Sequence, residues 1–265
     1  MRPAAIPAIL SAVLLAWRDA FRALDRMRNL GLAVLVILLF MEVAQAMVLA
    51  ACYDPKQVLG FSEWIAGLAH EAIGGVLLAP FAIAVHRFVL LDERAARYRI
   101  DPVDGRFLRF TFYLMLMAAL GEVPNLLALA SALVRSSFGL PVIFLLCILC
   151  IVVTIITVRV VILFPAVAVD AADPSWQRAV EDTKGHSWHV FFVLLISMLP
   201  IIVATDVLYR SVALVWSVSP LAWAVLTGLG SATVELVGMA VLVAAASRLY
   251  QALGRSSRQP AGVAV

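Results

Sequence analysis

Seven ionisable side chains interrupt the long apolar stretches of this sequence, and their types are the ones that could do chemistry there. They are Glu42, His70, Glu71, Glu122, Arg159, Asp206 and Glu235. An ionisable group that faces lipid costs about 2.5–3.5 kcal/mol, so such groups usually turn toward the inside of a helix bundle. Carboxyls grouped beside an imidazole can hold a cation, a proton or an amine headgroup. The candidate intramembrane polar site consists of Glu42, His70, Glu71, Glu122 and Glu235.

The four glutamates of this candidate site fall at similar depths in their stretches. Glu122 follows Arg109 by 13 residues, and Glu235 precedes Arg248 by 13. At about 1.5 Å per helical residue, both would lie about 20 Å from the arginine-rich surface. The same count gives about 20 Å for Glu42 and about 24 Å for Glu71. The alternative is that each acid is protonated or bonded to a neighbouring helix and only fixes packing.

An arginine lies near the inner end of every second apolar stretch, at Arg87, Arg159 and Arg248. These are candidate contacts to lipid phosphates or to the inner rim of the membrane. Arg159 lies well inside its apolar run, so it has two further options. Its side chain can reach outward to the headgroups, or it can pair with a carboxylate of another helix.

Two other groups of residues resemble a metal site and a redox motif, but neither predicts such a site. Asp182, His186 and His189 are the only acid and histidine cluster in a loop region, but Gly185 is expected to end their helix. Cys147 and Cys150 form a C-x-x-C inside an apolar run, which favours packing residues over a redox pair. We therefore predict no metal, no cofactor and no enzymatic activity.

Composition places the chain in a membrane. Hydrophobic residues make up 64% of the sequence and charged residues 14%, and the mean hydropathy is +1.02. A soluble domain carries about 25% charged residues. The pI near 9.0 does not indicate nucleic-acid binding, because the basic residues lie in short loops between apolar stretches. The predicted partners are membrane lipids and other membrane proteins, with no nucleic acid.

The elements that must position these residues are six apolar helices, each long enough to cross a bilayer. The predicted fold is an all-α, polytopic membrane bundle with six transmembrane helices arranged as three hairpins. The first, third and fifth helices share a break in the apolar pattern of their outer half. The second, fourth and sixth helices share an arginine near the inner end. The predicted spans are residues 30–51, 63–91, 107–133, 140–169, 190–209 and 221–249.

Basic residues alternate between the two sides of these spans. Arginines crowd the segment before the first span, the loop between the second and third, and the C-terminal tail, and Arg178 and Lys184 follow the fourth. The other loops hold only Lys56, Arg135 and Arg210. By the positive-inside rule, both termini are cytoplasmic. The predicted location is a bacterial inner membrane.

Two shorter helices complete the prediction. Residues 1–28 carry apolar residues at steps of three and four, which predicts an amphipathic helix in the membrane interface or one packed under the bundle. Its apolar face consists of Ile6, Leu10, Val13, Leu14, Trp17, Phe21 and Leu24. A short cytoplasmic helix before the fifth span is expected to begin at Asp173-Pro174 and end at Gly185. The membrane domain covers residues 29–250, and residues 251–265 form a flexible tail.

Two segments resemble a known group of proteins. The first is residues 84–91, and the second runs from Arg159 through residues 164–168 to residues 182–185 and Trp188. They resemble uncharacterised six-helix inner-membrane proteins of proteobacteria, which are distantly similar to the membrane domain associated with glycerophosphodiester phosphodiesterases. This resemblance implies a membrane fold and no defined activity. The expected role is therefore non-enzymatic binding, transport or support of the envelope. The alternatives are an enzyme that modifies lipid headgroups and a structural subunit of a membrane complex.

Overall fold

The computed structural model describes residues 5–52, 61–121, 139–172, 174–216 and 220–254, and the regular elements in these ranges are helices. In chain order they are α1 (Ala5–Arg26), α2 (Arg28–Cys52), α3 (Phe61–Leu91), α4 (Gly105–Gly121), α5 (Gly139–Val160), α6 (Leu163–Ala168), α7 (Trp176–Asp182), α8 (Ser187–Trp216) and α9 (Pro220–Leu253).

Five stretches of the described chain are helical, long and apolar enough to cross a membrane, which makes this a multi-pass membrane protein. They are Arg28–Gln45, Ile65–Leu91, Ile143–Ala168, Ser187–Ser211 and Val225–Leu253. They correspond to the first, second, fourth, fifth and sixth predicted spans. The third predicted span begins as α4, and its part beyond Gly121 lies outside the described residues.

The fourth predicted span is not one helix, as the sequence suggested, but two. A turn at residues 161 and 162 separates α5 from α6. Pro165 has no N–H to donate to the carbonyl of Val161, so a continuous helix loses a bond there. In the first turn of a new helix that N–H is not needed, and Pro165 lies in the first turn of α6.

The central helix of the bundle is α9, which packs against α1, α2, α3 and α8. Small residues allow these close contacts, as their spacing predicts. A Cβ atom added to Gly228 of α9 would lie 2.9 Å from a methyl group of Val43 on α2. On α3, a Cβ atom added to Gly75 would lie 3.3 Å from Met115 of α4.

The amphipathic helix α1 packs against α8 and α9, and its buried stripe only partly coincides with the apolar face named from the sequence. The buried stripe consists of Ile9, Val13, Ala16, Ala20 and Ala23, whereas Ile6, Leu10, Leu14 and Phe21 are exposed. The Trp17 indole Nε1 donates to the Ser197 carbonyl, 3.2 Å away. Small side chains together with Trp17 therefore hold α1 on the bundle, whereas Leu10, Leu14 and Phe21 are exposed.

Two predicted boundaries also shift. The α7 helix is capped by Ser175, whose hydroxyl accepts from the Arg178 N–H, so the expected cap at Asp173 is wrong. Gly185 does mark the end of this segment, because its φ of +79° is a conformation that side chains disfavour. The last helix continues to Leu253, past the predicted start of the tail at residue 251.

Candidate functional site

Helices α2, α3 and α9 bring together four of the five residues of the candidate polar site. His70 Nε2 of α3 lies 3.7 Å from Glu42 Oε1 of α2. The charges of Glu71 and of Glu235, which belongs to α9, also act on the His70 ring. Glu122 lies outside the described residues. Three carboxyls and one imidazole thus form a single electrostatic cluster, which we call the acid cluster.

Close helix contacts on both sides of Glu42 set the position of this cluster. Its neighbour Met41 lies against Gly74 of α3, and its other neighbour Val43 lies against Gly228 of α9. Gly74 is one turn beyond His70 on the same face of α3. The helix backbones therefore approach each other at the level of the acids and turn Glu42 toward α3 and α9.

The acid cluster lines two cavities that meet at Glu235. The larger has a volume of about 360 Å³ and opens between α8 and α9, with Glu42 at its edge. The smaller has a volume of about 70 Å³ and is bounded by His70 and Glu71 of α3 and by α4. Glu235 and Met239 line both cavities, so Glu235 has access to both sides of α9.

The wall of the larger cavity is mainly apolar, with a few polar groups. Its polar side chains besides the two acids are Thr205, Tyr209 and Ser231. The Ser231 hydroxyl is buried and bonds to no other atom in the described part of the chain. An apolar pocket with a few convergent polar groups is the usual form of a small-molecule site.

The segment that joins α3 to α4 contacts α3 within two turns of Glu71. The arginine-rich segment between α3 and α4 folds back along α3, and the Tyr98 hydroxyl donates to the Leu77 carbonyl at 2.8 Å. Burial raises the pKa of this phenol. Leu77 is six residues from Glu71, or about 9 Å along the helix. The depth of about 24 Å for Glu71, counted from Arg87, stays a prediction.

Two of the three inner arginines are tied into a framework at one end of the bundle. We call this end, formed by residues 79–91 of α3, by α6 and α7, and by residues 240–253 of α9, the basal end. Arg248 Nε donates to Asp19 of α1 at 2.6 Å. Arg87 donates to Glu93 and to the Ala168 carbonyl at 2.7 and 3.1 Å. Both arginines thus have protein partners, and their predicted contacts to lipid phosphates or to the inner rim stay predictions.

Sequence reasoning missed several polar residues of the basal end. His86 is buried, and its Nδ1 lies 2.7 Å from the Ser247 hydroxyl of α9. That hydroxyl also donates to the Val243 carbonyl, so the geometry fits an imidazole that donates from Nδ1. Asp170 pairs with Arg106 at 3.1 Å. The only sign of these polar contacts in the sequence was a histidine close to the end of a long apolar stretch.

The remaining polar candidates lie apart from the acid cluster. Asp206 is exposed and pairs with Arg210 one turn along α8. Asp182 lines a crevice of only about 10 Å³, while His186 is exposed and bonds to the Lys184 carbonyl. Among the described residues, no three His, Cys, Asp or Glu side chains lie close enough to hold a metal ion.

No family model, no curated protein and no solved structure matches this chain. The proteobacterial resemblance therefore stays a prediction, but its residues have a visible structural role. Phe164 stacks edge-on against Phe110 at 5.3 Å, and the Thr183 hydroxyl donates to the Arg159 carbonyl at 3.2 Å. These residues join α4, α5, α6 and α7 at the basal end.

Proposed function

We propose that this protein is a non-enzymatic inner-membrane protein that binds a small organic cation, such as an ammonium compound, at the acid cluster. The observation that carries the proposal is the position of Glu235 between two cavities, within the electrostatic reach of Glu42, His70 and Glu71. Transport of the bound cation is the natural extension of such a site.

The charge balance of the acid cluster supports a cationic ligand. Glu42 and Glu235 border the larger cavity, and among the described residues no arginine or lysine lines either cavity. Like charges in a poorly solvated site repel each other, so the cluster must take up either protons or a cation. A cation that enters would therefore compete with protons for the same oxygens.

The size and lining of the larger cavity favour an organic cation over a bare ion. A volume of about 360 Å³ lies within the range of small-molecule pockets, about 300–1,000 Å³. Its walls offer methionine and leucine side chains for the apolar part of a ligand, and the ring of Tyr209 for a cation–π contact. Glu42 and Glu235 would then bind the ammonium group.

The smaller cavity supports a separate role for its residues. Its volume of about 70 Å³ can hold a few water molecules but not the same ligand. His70 and Glu71 would exchange protons with Glu235 through such waters, so that binding of the cation releases a proton. This coupling is what a transporter of cations driven by protons requires.

The proposed site also requires an orientation of the helices in the membrane, and the distribution of arginines predicts one. We propose six spans with both termini in the cytoplasm, because the basal end collects the arginines. A reporter that fluoresces only in the cytoplasm should be active when fused to the C-terminus. A phosphatase active only in the periplasm should work when fused near Lys56, Arg135 or Arg210. Phosphatase activity from a C-terminal fusion would contradict the six-span orientation.

Ligand-dependent thermal unfolding tests the binding proposal. The probes are choline and benzyltrimethylammonium, and the controls are their neutral isosteres neohexanol and neopentylbenzene. With the protein in lipid nanodiscs, the fluorescence of its six tryptophans reports unfolding. A ligand at 100 times its Kd stabilises by about 2.7 kcal/mol, so a clear rise in Tm is expected for the cations only.

Two substitutions locate the effect. Glu235→Gln should abolish the rise in Tm, because it removes the carboxylate shared by both cavities. Asp206→Asn should keep it, because that carboxylate is exposed and bonded to Arg210. Equal stabilisation by a cation and its neutral isostere, or a full response in Glu235→Gln, would overturn the proposal.

A further inference from the structure

A second opening in the bundle lies between α5 and α8. Large apolar side chains cover the outward surface of α5, and Phe144 is 69% exposed. Between α5 and α8 lie two adjoining cavities of about 440 and 380 Å³. Both are lined by Cys150, Thr154, Val158 and Phe191, so they form one lateral cleft.

The lining of this cleft is almost entirely apolar. Ile151 and Ile155 of α5 face Phe191 and Trp188 of α8 across it. The Thr154 hydroxyl is already bonded to the Cys150 carbonyl. Apart from Thr157 in one of the two cavities and Ser187 at one end, its described lining is apolar or internally bonded, so the cleft fits a hydrocarbon chain.

The position of Arg159 on α5 places a basic side chain at one end of the cleft. Ile151, Ile155 and Arg159 follow each other at four-residue steps, so Arg159 continues the row of α5 side chains that lines the cleft. Arg87 and Arg248 are bonded to carboxylates, whereas the Arg159 guanidinium pairs with no acid in the part of the chain that the structure describes. Its side chain is half-buried.

A second polar group points to the same end. The Ser187 hydroxyl lines the cleft, is buried, and bonds to no other atom among the described residues. Ser187 is also the first residue of α8, where the helix dipole favours a negative group. The Arg159 carbonyl is bonded to Thr183, one turn before Ser187, so both polar groups belong to one end of the cleft.

The length of α5 places this end at headgroup level. Arg159 follows Gly139, the first residue of α5, by 20 residues. At about 1.5 Å per residue this is about 30 Å, which equals the hydrocarbon thickness of a bilayer. Trp188, next to Ser187, is 71% exposed, and tryptophan is enriched where a membrane meets water.

We propose that the cleft between α5 and α8 holds one phospholipid, with an acyl chain along Ile151 and Ile155 and its phosphate bound by Arg159 and Ser187. An arginine beside a hydroxyl suits a phosphate oxygen, and the unpaired positive charge matches the negative charge of the headgroup. The site does not involve the acid cluster, so it stands independently of the cation proposal.

Photochemical labelling tests the position of the lipid without a variant. Wild-type protein is reconstituted with phosphatidylglycerol that carries a diazirine on one acyl chain, and labelled peptides are mapped by mass spectrometry. Label is expected on α5 between residues 150 and 158 and on α8 near Phe191. Label spread evenly over the outward surface of α5 and over α2 would overturn the proposal.

Substitutions test the two ends of the lipid separately, with native mass spectrometry of retained phosphatidylglycerol as the measurement. Arg159→Gln should weaken retention by roughly tenfold or more, since a charge-assisted bond is lost. The matched control, Arg97→Gln, removes an exposed arginine and should retain the lipid as the wild type does. Thr154→Trp should expel the chain while Arg159 remains.

The nature of the headgroup provides the last arm of this experiment. Diacylglycerol, which has the chains but no phosphate, should be retained much more weakly than phosphatidylglycerol. Free glycerol phosphate should not displace the lipid at equal concentration. Equal loss in Arg159→Gln and Arg97→Gln, full retention in Thr154→Trp, or equal retention of diacylglycerol would each contradict the proposal. If Arg159→Gln does not fold, Arg159→Lys should retain the lipid better than Thr154→Trp does.

Discussion

The basal end and the region around the acid cluster differ in how their polar groups are buried and bonded. At the basal end, Asp19 is 5% exposed and bonded to Arg248, and His86 is buried and bonded to Ser247. Around the acid cluster, Glu42, His70 and Glu235 are only half-buried and border open cavities.

This difference separates structural polar groups from binding groups. A buried charge with a protein partner contributes to the fold, and removal of one partner leaves the other uncompensated. Glu42 and Glu235, which border a cavity, are expected to contribute less to the fold. The comparison therefore predicts that similar substitutions have different consequences in the two regions.

The largest loss of stability should come from the basal ion pair. Asp19→Ala leaves the Arg248 guanidinium without its carboxylate and should lower the free energy of unfolding by about 3 kcal/mol. Asp25→Ala is the matched control on the same helix. Its pair with Arg28 is exposed, so stability should hardly change. Unfolding in detergent micelles, followed by tryptophan fluorescence, measures both. Equal effects would mean that the basal pair is not structural.

Disruption of the helix contact beside the acid cluster should give an intermediate loss of stability. Gly228→Ala places a methyl group 2.9 Å from Val43 and should cost about 2 kcal/mol, within the usual range for overpacking. Gly121→Ala meets nothing within 4 Å and should be neutral or slightly stabilising. The same unfolding assay compares them. A tolerated Gly228→Ala would show that α2 and α9 are not held close at Glu42.

The acid cluster itself should give the smallest effect on stability. Glu235→Gln removes a negative charge that lies near Glu42 and Glu71, so stability should be unchanged or higher by up to about 1 kcal/mol. Asp206→Asn, which breaks an exposed pair, should lower it by less than about 1 kcal/mol. A loss in Glu235→Gln as large as that in Asp19→Ala would place Glu235 among the structural residues.

The helices were predictable from the sequence because apolar length is a local property. The ends of α3 and α9 fall within about four residues of the predicted span ends, the usual precision for boundaries. The acids on α2, α3 and α9 were also noticeable, because ionisable side chains in apolar stretches are rare. Their shared depth was counted from the residue spacing and stays a prediction.

The contacts that close the basal end were not predictable in the same way. Asp19 and Arg248 are separated by 229 residues, and His86 and Ser247 by 161. No local pattern encodes such pairs. The stripe of α1 that packs on the bundle was not evident in the sequence for a different reason. Next to lipid, a large apolar side chain has no cause to be buried, whereas small ones allow close packing.

Carbodiimide labelling tests the central claim, that the membrane acids form a ligand site and the basal acids a framework. Dicyclohexylcarbodiimide is apolar and reacts with protonated carboxyls that it can reach from the membrane. After treatment in nanodiscs, mass spectrometry should find the adduct on Glu235 or Glu42 and not on Asp19, which is closed in by Arg248. Benzyltrimethylammonium should protect the glutamates, and neopentylbenzene should not. Labelling of Asp19 in preference to Glu235, or labelling of Glu235 that the cation leaves unchanged, would contradict the account.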